Sequence, residues 1–300
     1  MLLVTFWLPG AGPRLGLVRD ERVFDLTAAD PIRCASLGVL FAEAQRAGTT
    51  PAALLADIVP GLLQRAPSVR YADLDAAPAA DRSHLMAPPV AEVWAAGVTY
   101  LRSRDARVGE SDVPDIYTKV YEAERPEIFF KATGQRVRGQ GAELTLRSDS
   151  TWNVPEPELG LMLDATGRIV GYTVGNDLSS RDIEGVNPLY LPQAKIWKCA
   201  CALGPAVLVT DEPPAAFTIR LTILRGGKAA FDGEISTTQM KRSFSELVSY
   251  LNRDNEFFGP TVLLTGTGLV PADDFTLQEG DVVEIAISGI GTLRNPIHQL

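Results

Sequence analysis

Two glutamates separated by one residue, Glu156 and Glu158, have the spacing that a cation-binding strand requires. Pro155 and Pro157 flank Glu156 and disfavour a helix, so both carboxylates are expected on an extended backbone. Alternate side chains of a strand share a face, and their Cβ atoms lie about 6–7 Å apart. The two carboxylates can therefore converge on one metal ion. The alternative is a pair of solvated acids on an edge strand, where proline is common.

A turn signal downstream brings a third carboxylate to this pair. The segment 164–167, Asp-Ala-Thr-Gly, separates the apolar runs LGLML and RIVGYTV, which predicts an antiparallel hairpin. A short loop there places Glu156 opposite residues 175–177 and Asp177 beside both glutamates. Three crowded carboxylates need a compensating cation, and oxygen ligands predict Mg²⁺, Mn²⁺ or Ca²⁺.

The segments around this hairpin resemble those of the fumarylacetoacetate hydrolase superfamily. The resemblance rests on the E-x-E pair, on Asp177 in GYTVGNDLSSRD, on LLTGTG at 263–268 and on the closing GDVVEI and GIGTLRNP. It extends from about residue 94 to residue 298. Within the superfamily, PEIFFKATGQRV and NPLYLPQAK most resemble the 2-keto-3-deoxy-pentonate dehydratases.

The resemblance implies both a fold and a reaction. The implied fold is α+β and β-rich, a mixed β-sheet roll of the fumarylacetoacetate hydrolase type behind a small N-terminal domain. Glu156, Glu158 and Asp177 become the expected metal ligands. The implied reaction is metal-dependent dehydration of a 2-keto-3-deoxy sugar acid to 2,5-dioxopentanoate, with the metal polarising the 2-keto group. A homo-oligomer is implied as well.

Two titratable side chains are candidates for the proton transfers of this reaction. Lys195 lies between Ala194 and Ile196 in a segment that matches the family, and we expect it to be partly buried with a lowered pKa. Glu127 begins the apolar run EIFF within a dehydratase-like motif. Without that motif, a surface acid at a strand end would be the plainer interpretation. The sequence does not assign the acid and base roles within the pair.

Four further side chains are candidates for substrate binding. Arg104 and Arg181 are possible partners of a substrate carboxylate, and structural ion pairs explain them equally well. Thr267 lies in TGTG, which we interpret as a carboxylate cradle because neither G-x-G-x-x-G nor G-K-[ST] is present. Ser103 lies three residues after Tyr100, where hydrolytic members of the superfamily often carry a histidine.

Two other functions are compatible with the same metal site. An acylpyruvate-type hydrolase or oxaloacetate decarboxylase needs a residue that activates water. Ser103 and Ala106 stand where such relatives often carry His and Glu, so the dehydratase is favoured. A catalytically silent protein that binds sugar acids through the metal is the alternative outside enzymes. The presence of both Lys195 and Glu127 argues against it.

The charge balance and the cysteine content indicate which partners and which cellular compartment to expect. Among 300 residues, 28 Lys and Arg against 37 Asp and Glu give a net charge of −9, which argues against a nucleic-acid partner. Cys34, Cys199 and Cys201 contain no C-x-x-C pair and fit a reducing cytoplasm. We expect the apolar start MLLVTFWLPG to be a buried strand, not a signal peptide. No apolar run reaches the roughly 18 residues of a membrane span.

The elements that must position the site fall into two expected domains. Residues 1–85 predict a small α+β domain with helices near 37–47 and 51–63. The segment APAADRSHLMAPP predicts an exposed linker, and residues 86–300 predict the catalytic domain. Gly226-Gly227 indicates a hairpin turn, and the Ser243/Glu246 pair predicts a capped helix.

Overall fold

The computed structural model describes residues 1–110 and 115–300 of the chain. The N-terminal part contains β1 (Leu2–Leu8), β2 (Gly12–Arg19), β3 (Arg22–Asp25), α1 (Leu26–Ala29), α2 (Leu37–Arg46), α3 (Pro51–Leu63), β4 (Ser68–Arg70), α4 (Tyr71–Leu74) and β5 (His84–Met86). The predicted strand at the chain start and the two predicted helices are confirmed as β1, α2 and α3. Ser36 and Thr50 cap the two helices, since their hydroxyls accept hydrogen bonds from the third residue beyond each cap.

The middle of the chain carries the expected site residues. Its elements are β6 (Glu92–Gly97), α5 (Leu101–Glu110), α6 (Asp115–Glu122), β7 (Glu127–Thr133), β8 (Val137–Arg138), β9 (Leu144–Leu146), β10 (Asn153–Val154), β11 (Pro157–Leu163), β12 (Ile169–Asp177), β13 (Ser179–Ser180), α7 (Arg181–Val186), α8 (Leu191–Lys195) and β14 (Cys201–Val209). Short 3-10 helices cover Gly134–Arg136 and Pro188–Tyr190.

The C-terminal part is built mainly from strands. It contains β15 (Thr218–Arg225), β16 (Lys228–Ser236), α9 (Phe244–Leu251), β17 (Thr261–Leu264), β18 (Val282–Ile287) and β19 (Gly291–Gln299), with a 3-10 helix at Thr237–Gln239. Gly226-Gly227 joins β15 to β16, as the turn signal predicted. The Ser243 hydroxyl accepts from the Glu246 N–H at 3.1 Å, so the predicted cap of α9 is confirmed.

Two large sheets organise the fold. Ten strands of the larger sheet follow the order β4-β3-β2-β1-β14-β12-β11-β17-β6-β7, while β5 adds to β1 and β8 adds to β14. The pairs β17/β6 and β14/β8 are parallel and the others are antiparallel. A second sheet has the order β16-β15-β18-β19-β9. The expected β-rich fold with mixed sheets is confirmed.

The two faces of the larger sheet are buried against different layers. Leu159 and Leu161 of β11 pack in a core shared with Leu221 and Ile285 of the smaller sheet. Met162, on the opposite face of β11, packs in a core shared with α2 and α3. The hairpin of β11 and β12 is therefore covered on both faces. Among the described residues, no helix combines the length and apolar character that a membrane crossing needs.

The N-terminal strands extend the larger sheet across the expected domain boundary. Leu2 of β1 pairs with Leu208 of β14. The predicted linker differs from a free connector, because residues 84–86 form β5 on β1 and His84 is buried. Independent folding of residues 1–85 stays a prediction.

Candidate active site

The hairpin of β11 and β12 carries the three carboxylates of the predicted metal site. Glu158 pairs with Gly175, and the Asp177 N–H donates to the Glu156 carbonyl oxygen at 3.0 Å. Glu156 therefore stands opposite Asp177, within the predicted range 175–177. Because alternate residues of a strand share a face, the three carboxylates lie on the same side of the sheet.

The three carboxylates form a compact, buried cluster. One oxygen from each lies within 4.8 Å of the others. The exposed fractions of Glu156, Glu158 and Asp177 are 4%, 1% and 1%. Buried carboxylates this close repel one another, and a divalent cation between them would relieve the repulsion. An all-oxygen donor set is the set that Mg²⁺, Mn²⁺ and Ca²⁺ prefer.

Glu156 is the carboxylate of the cluster that basic side chains surround. Its Oε1 accepts from Arg107 Nη2 at 2.7 Å and lies 3.2 Å from Arg181 Nη2. Its Oε2 accepts from Lys195 Nζ at 2.6 Å. Burial alone would raise the pKa of Glu156, but Lys195, Arg107 and Arg181 outweigh burial and lower it. Glu156 is therefore held as a carboxylate.

Glu158 lies in the opposite environment. Burial, followed by the negative charges of Asp177 and Glu156, raises its pKa well above the usual range. Its Oε2 accepts one backbone hydrogen bond, from the Gly266 N–H at 2.6 Å. Gly266 has a φ of +92°, and a Cβ there would lie 2.1 Å from Thr99 Oγ1, so only glycine fits. The loop after β17 thus positions the Glu158 carboxylate.

Asp177 has two oxygens available to a cation. Lys131 Nζ lies 2.5 Å from Oδ1 and Lys195 Nζ lies 3.4 Å from Oδ2. Within the described residues, neither oxygen accepts a hydrogen bond of good geometry. Lys131 instead donates to the carbonyl oxygens of Leu178 and Lys195. The residues present therefore fit a divalent cation, with Asp177, Glu156 and Glu158 as its ligands.

Lys195 ends the short helix α8 inside this cluster. Its Nζ donates to Glu156 Oε2 and to Ser179 Oγ, each at 2.6 Å. The expected burial is observed, but the expected lowering of its pKa is wrong. Burial does act to lower the pKa, whereas Asp177, Glu156 and Glu184 together outweigh it and raise the pKa. Lys195 is therefore an ammonium group held among carboxylates.

Glu127 begins β7 and faces the same cluster. Burial, followed by the charge of Glu184, raises the pKa of Glu127 to about 7. Its carboxylate lies against the backbone of β6, where a Cβ on Gly97 would approach Glu127 Oε2 to 2.0 Å. Glu127 is half-buried and lines the cavity beside the carboxylates. Gly97 leaves the space that the carboxylate occupies.

A small cavity of about 10 Å³ lies beside the three carboxylates. Ser103, Thr267, Lys195 and Glu127 all line it. The structure thus brings four of the six predicted catalytic and substrate-binding side chains to the metal ligands. Their individual roles stay predictions.

The two predicted arginines lie elsewhere. Arg104 pairs with Asp105 at 2.5 Å and lies over the Tyr121 ring, outside the cavity lining. On α5 it follows Ser103 by one residue, which turns its side chain about 100° away. Arg107 follows Ser103 by four residues and shares its face. Arg181 is buried against Glu156, one of the three carboxylates, and does not line the cavity.

Sequence reasoning missed three charged residues of the cluster: Arg107, Lys131 and Glu184. Arg107 joins Glu156 to Glu184, with 2.7 Å to each carboxylate. Helix spacing from Ser103 would have found Arg107. Lys131 lies at the register shift of β7, where strand alternation does not assign a face. Glu184 carried no comparable signal, because its place on α7 depends on tertiary packing.

The comparisons with known proteins agree with this geometry. Residues 92–298 match the family model described as the fumarylacetoacetate (FAA) hydrolase C-terminal domain. The match covers more than half of the chain and includes all three carboxylates. The chain belongs to this family.

Three relatives are similar over most of their length. The chain is 46% identical over 286 residues to a "Probable 2-keto-3-deoxyxylonate dehydratase" of Haloferax volcanii, covering 95% of each protein. It is 48% identical over 217 residues to a "2-dehydro-3-deoxy-D-arabinonate dehydratase" of Saccharolobus solfataricus, covering 70% of this chain and 72% of the relative. A solved structure of "2-keto-3-deoxy-D-arabinonate dehydratase complexed with magnesium and 2,5-dioxopentanoate" matches with a TM-score of 0.78 and 34% identity, over 100% of this chain and 99% of that one.

Proposed function

We propose that this chain is a magnesium-dependent dehydratase that converts a 2-keto-3-deoxy pentonate to 2,5-dioxopentanoate and water. The observation that carries the proposal is the buried triad Glu156, Glu158 and Asp177 with Lys195 and Glu127 on the same cavity. Two relatives with 46% and 48% identity are named as dehydratases of such acids. The matching solved structure contains magnesium and the dioxo acid.

The charge of the cluster favours an anionic substrate. The charged side chains that meet at the site are Glu127, Glu156, Glu158, Asp177, Glu184, Arg107, Lys131, Arg181 and Lys195. Counted as ionised, five acids and four bases leave one negative charge. A divalent cation changes this to one positive charge, which the carboxylate of a 2-keto acid then neutralises.

The side chains can move the protons that dehydration requires. The reaction removes a C3 proton and the C4 hydroxyl as water. Proton transfer from C5 to C3 then gives an enol, which becomes the C5 aldehyde when C4 is protonated and the enol oxygen loses its proton. When bound, the divalent cation polarises the 2-keto oxygen and makes the C3 protons more acidic. Two side chains are available for proton transfer at C3 and at the C4 oxygen. Lys195 is fixed by Glu156 and Ser179, and Glu127 has a pKa of about 7.

Hydrolysis is the less suitable chemistry for this cavity. It consumes a water that a base must activate, and histidine most often provides that base. The chain has two histidines. His84 stacks on Trp7 and His298 lies 3.3 Å from Glu279, and neither lines the cavity. Ser103 occupies the cavity wall where the hydrolytic sequence pattern has histidine.

A substrate panel tests the proposal. Purified protein with Mg²⁺ is incubated with 2-keto-3-deoxy pentonates, acylpyruvates and oxaloacetate, and the products are identified by NMR. We expect 2,5-dioxopentanoate from at least one pentonate and little change in the other acids. Efficient cleavage of acylpyruvates with untouched pentonates would establish a hydrolase instead. Stoichiometric binding heat without turnover of any substrate would establish a silent binding protein.

We also propose that the protein is a cytoplasmic homo-oligomer. Val186, Leu189 and Tyr190 are exposed next to one another on the α7–α8 segment, and exposed apolar clusters are common at subunit interfaces. All three cysteines are free, which suits a reducing compartment. Light scattering should give a molar mass of two or more times the chain mass of 32.3 kDa. A monomer at micromolar concentration would contradict the oligomer.

A further inference from the structure

Lys131 is as deeply buried as Glu158 and Asp177 and has no role in the proton transfers above. Its exposed fraction is 1%, and its Nζ lies 5.5 Å from the centre of the Trp197 ring. Burying an ammonium group is unfavourable unless polar groups replace its water. The groups that replace water around Lys131 therefore indicate its function.

Those groups belong to the segment after β12 and to the end of α8, whose relative position matters for the reaction. Lys131 Nζ donates to the carbonyl oxygen of Leu178, just beyond β12, at 2.9 Å. It also donates to the carbonyl oxygen of Lys195 at 2.5 Å. The same Nζ forms a buried ion pair with Asp177 Oδ1 at 2.5 Å. One buried ammonium thus joins the segment of a metal ligand to the backbone of Lys195.

The hydrogen bond from Lys131 to the Lys195 carbonyl oxygen is made at the C-terminal end of helix α8. The final carbonyl groups of a helix have no partner within the helix. Helix α8 has five residues, ends at Lys195 and continues into the extended residue Ile196. Lys131 supplies a donor to the last carbonyl of α8. The Lys195 side chain leaves the backbone at that residue, so this hydrogen bond limits where its Nζ can lie.

Strand β7 gives this contact a rigid base. Glu127 and Phe129 alternate along it and share one face, and Lys131 follows them at a register shift in the pairing with β6. Phe129 lies under Lys195, with its ring centre 5.5 Å from Nζ. The strand that carries Glu127 into the cavity therefore also supports Lys195 from behind. A shift of β7 would move both proton-transfer groups together.

We propose that Lys131 is a positioning residue that holds Lys195 in its reactive orientation, through its hydrogen bond to the Lys195 backbone. The inference rests on the proposed function, in which Lys195 carries a proton. Lys131 also forms an ion pair with Asp177, so metal affinity must be measured beside turnover. Loss of Lys131 should impair turnover while leaving the metal site competent.

The test uses two substitutions and one control. Lys131→Met keeps an unbranched side chain and removes the donor, whereas Lys131→Gln keeps a neutral donor. Both side chains are one bond shorter than that of lysine. Lys228→Met, on the exposed β15–β16 turn, controls for loss of a lysine. The measurements are kcat, KM, Mn²⁺ affinity by calorimetry and the unfolding temperature. We expect Lys131→Met to lower kcat about 10- to 100-fold, with KM and the Mn²⁺ Kd within about 3-fold of wild type. Lys131→Gln should recover part of kcat.

Other outcomes overturn the inference. An unchanged kcat in Lys131→Met removes the positioning role. A Mn²⁺ Kd that weakens as much as kcat falls would assign Lys131 to the metal site, and a Gln variant no better than Met would remove the role of the hydrogen bond. If Lys131→Met does not fold, Lys131→Gln decides by the same criteria, and failure of both to fold would assign Lys131 to the fold. An inactive wild type would instead overturn the proposed function itself.

Discussion

The two ends of the β11–β12 hairpin both bury acidic side chains, but they neutralise them differently. At the turn, Asp164 accepts hydrogen bonds from Thr166 N–H and Oγ1 and from Arg168 N–H, Nε and Nη2. Every one of these donors lies within four residues. Burial would raise the pKa of Asp164, but the hydrogen bonds from Thr166 and Arg168 outweigh burial and lower it.

At the other end, the neutralising groups come from distant segments. Arg107 on α5, Lys131 on β7 and Lys195 on α8 converge on Glu156 and Asp177. The Asp177 oxygens still lack hydrogen bonds of good geometry within the described ranges 1–110 and 115–300. Asp164 is fully hydrogen-bonded by its own turn, so it stabilises that turn. The carboxylate cluster is held by cations from distant segments and keeps oxygen lone pairs with which it can bind a ligand.

The largest difference between the two ends should appear on removing one charge from each. Glu158→Gln should weaken Mn²⁺ binding by about 10²-fold or more and lower kcat/KM on the order of 10³-fold, because a metal ligand is lost. Asp164→Asn should lower the free energy of unfolding by about 1–3 kcal/mol and leave kcat and Mn²⁺ affinity nearly unchanged. Calorimetry, kinetics and chemical denaturation measure these effects. Equal loss of Mn²⁺ affinity in both variants would contradict the distinction.

Within the metal end, proton transfer should depend on Lys195 far more than on Ser103. Lys195→Ala removes a proton carrier and a buried positive charge, so kcat should fall on the order of 10²-fold or more. Ser103→Ala should cost at most a substrate hydrogen bond, seen as a change of a few fold in KM. Steady-state kinetics with the pentonate decides. Greater damage from Ser103→Ala would move the acid–base role to α5.

A smaller effect is expected from the backbone that supports Glu127. In Gly97→Ala, the new Cβ would meet Glu127 Oε2 at 2.0 Å, so the carboxylate must move. We expect kcat to fall roughly 10-fold, since small misplacements of a reacting group are costly, while Mn²⁺ affinity is retained. Gly61→Ala in α3, where a Cβ meets no atom within 4 Å, is the matched control. Equal kcat in the two variants would show that Glu127 has no part in turnover.

The smallest expected effect is a pH dependence of stability. The folded protein holds the Glu127 proton up to about pH 7, above the usual value of 4.5. The stability that this proton contributes is therefore present below the usual pKa and lost as pH rises through 7. The unfolding temperature of metal-free wild type should fall more between pH 5 and pH 8 than that of Glu127→Gln. Parallel curves, with exposed Glu256→Gln as a second reference, would contradict the raised pKa.

Local rules explain why much of the fold and the triad could be predicted from the sequence. Pro155 and Pro157 fix an extended backbone, and the 164–167 turn sets the pairing that brings Asp177 to Glu156. Each of these signals acts within a few residues. The capped helix at Ser243 and the hairpin at 226–227 were predictable for the same reason.

Most contacts among the charged residues of the site could not be predicted in this way. Lys131 reaches Leu178 across 47 positions of sequence, and no local pattern indicates that contact. The same limit explains the wrong expectation for the pKa of Lys195. Its apolar neighbours Ala194 and Ile196 indicated burial, whereas the acids that raise its pKa come from other segments. Helix spacing favours Arg107 over Arg104, because Arg107 follows Ser103 by four residues and shares its face of α5.

A magnesium titration is the most direct test of the claim that Glu156, Glu158 and Asp177 form the metal centre of a dehydratase. Wild type and Asp164→Asn are stripped with EDTA, verified metal-free, and assayed for 2,5-dioxopentanoate by NMR as Mg²⁺ is added back. We expect no turnover without metal and recovery that saturates at one Mg²⁺ per chain in both proteins. Full activity in the verified metal-free protein would contradict the assignment.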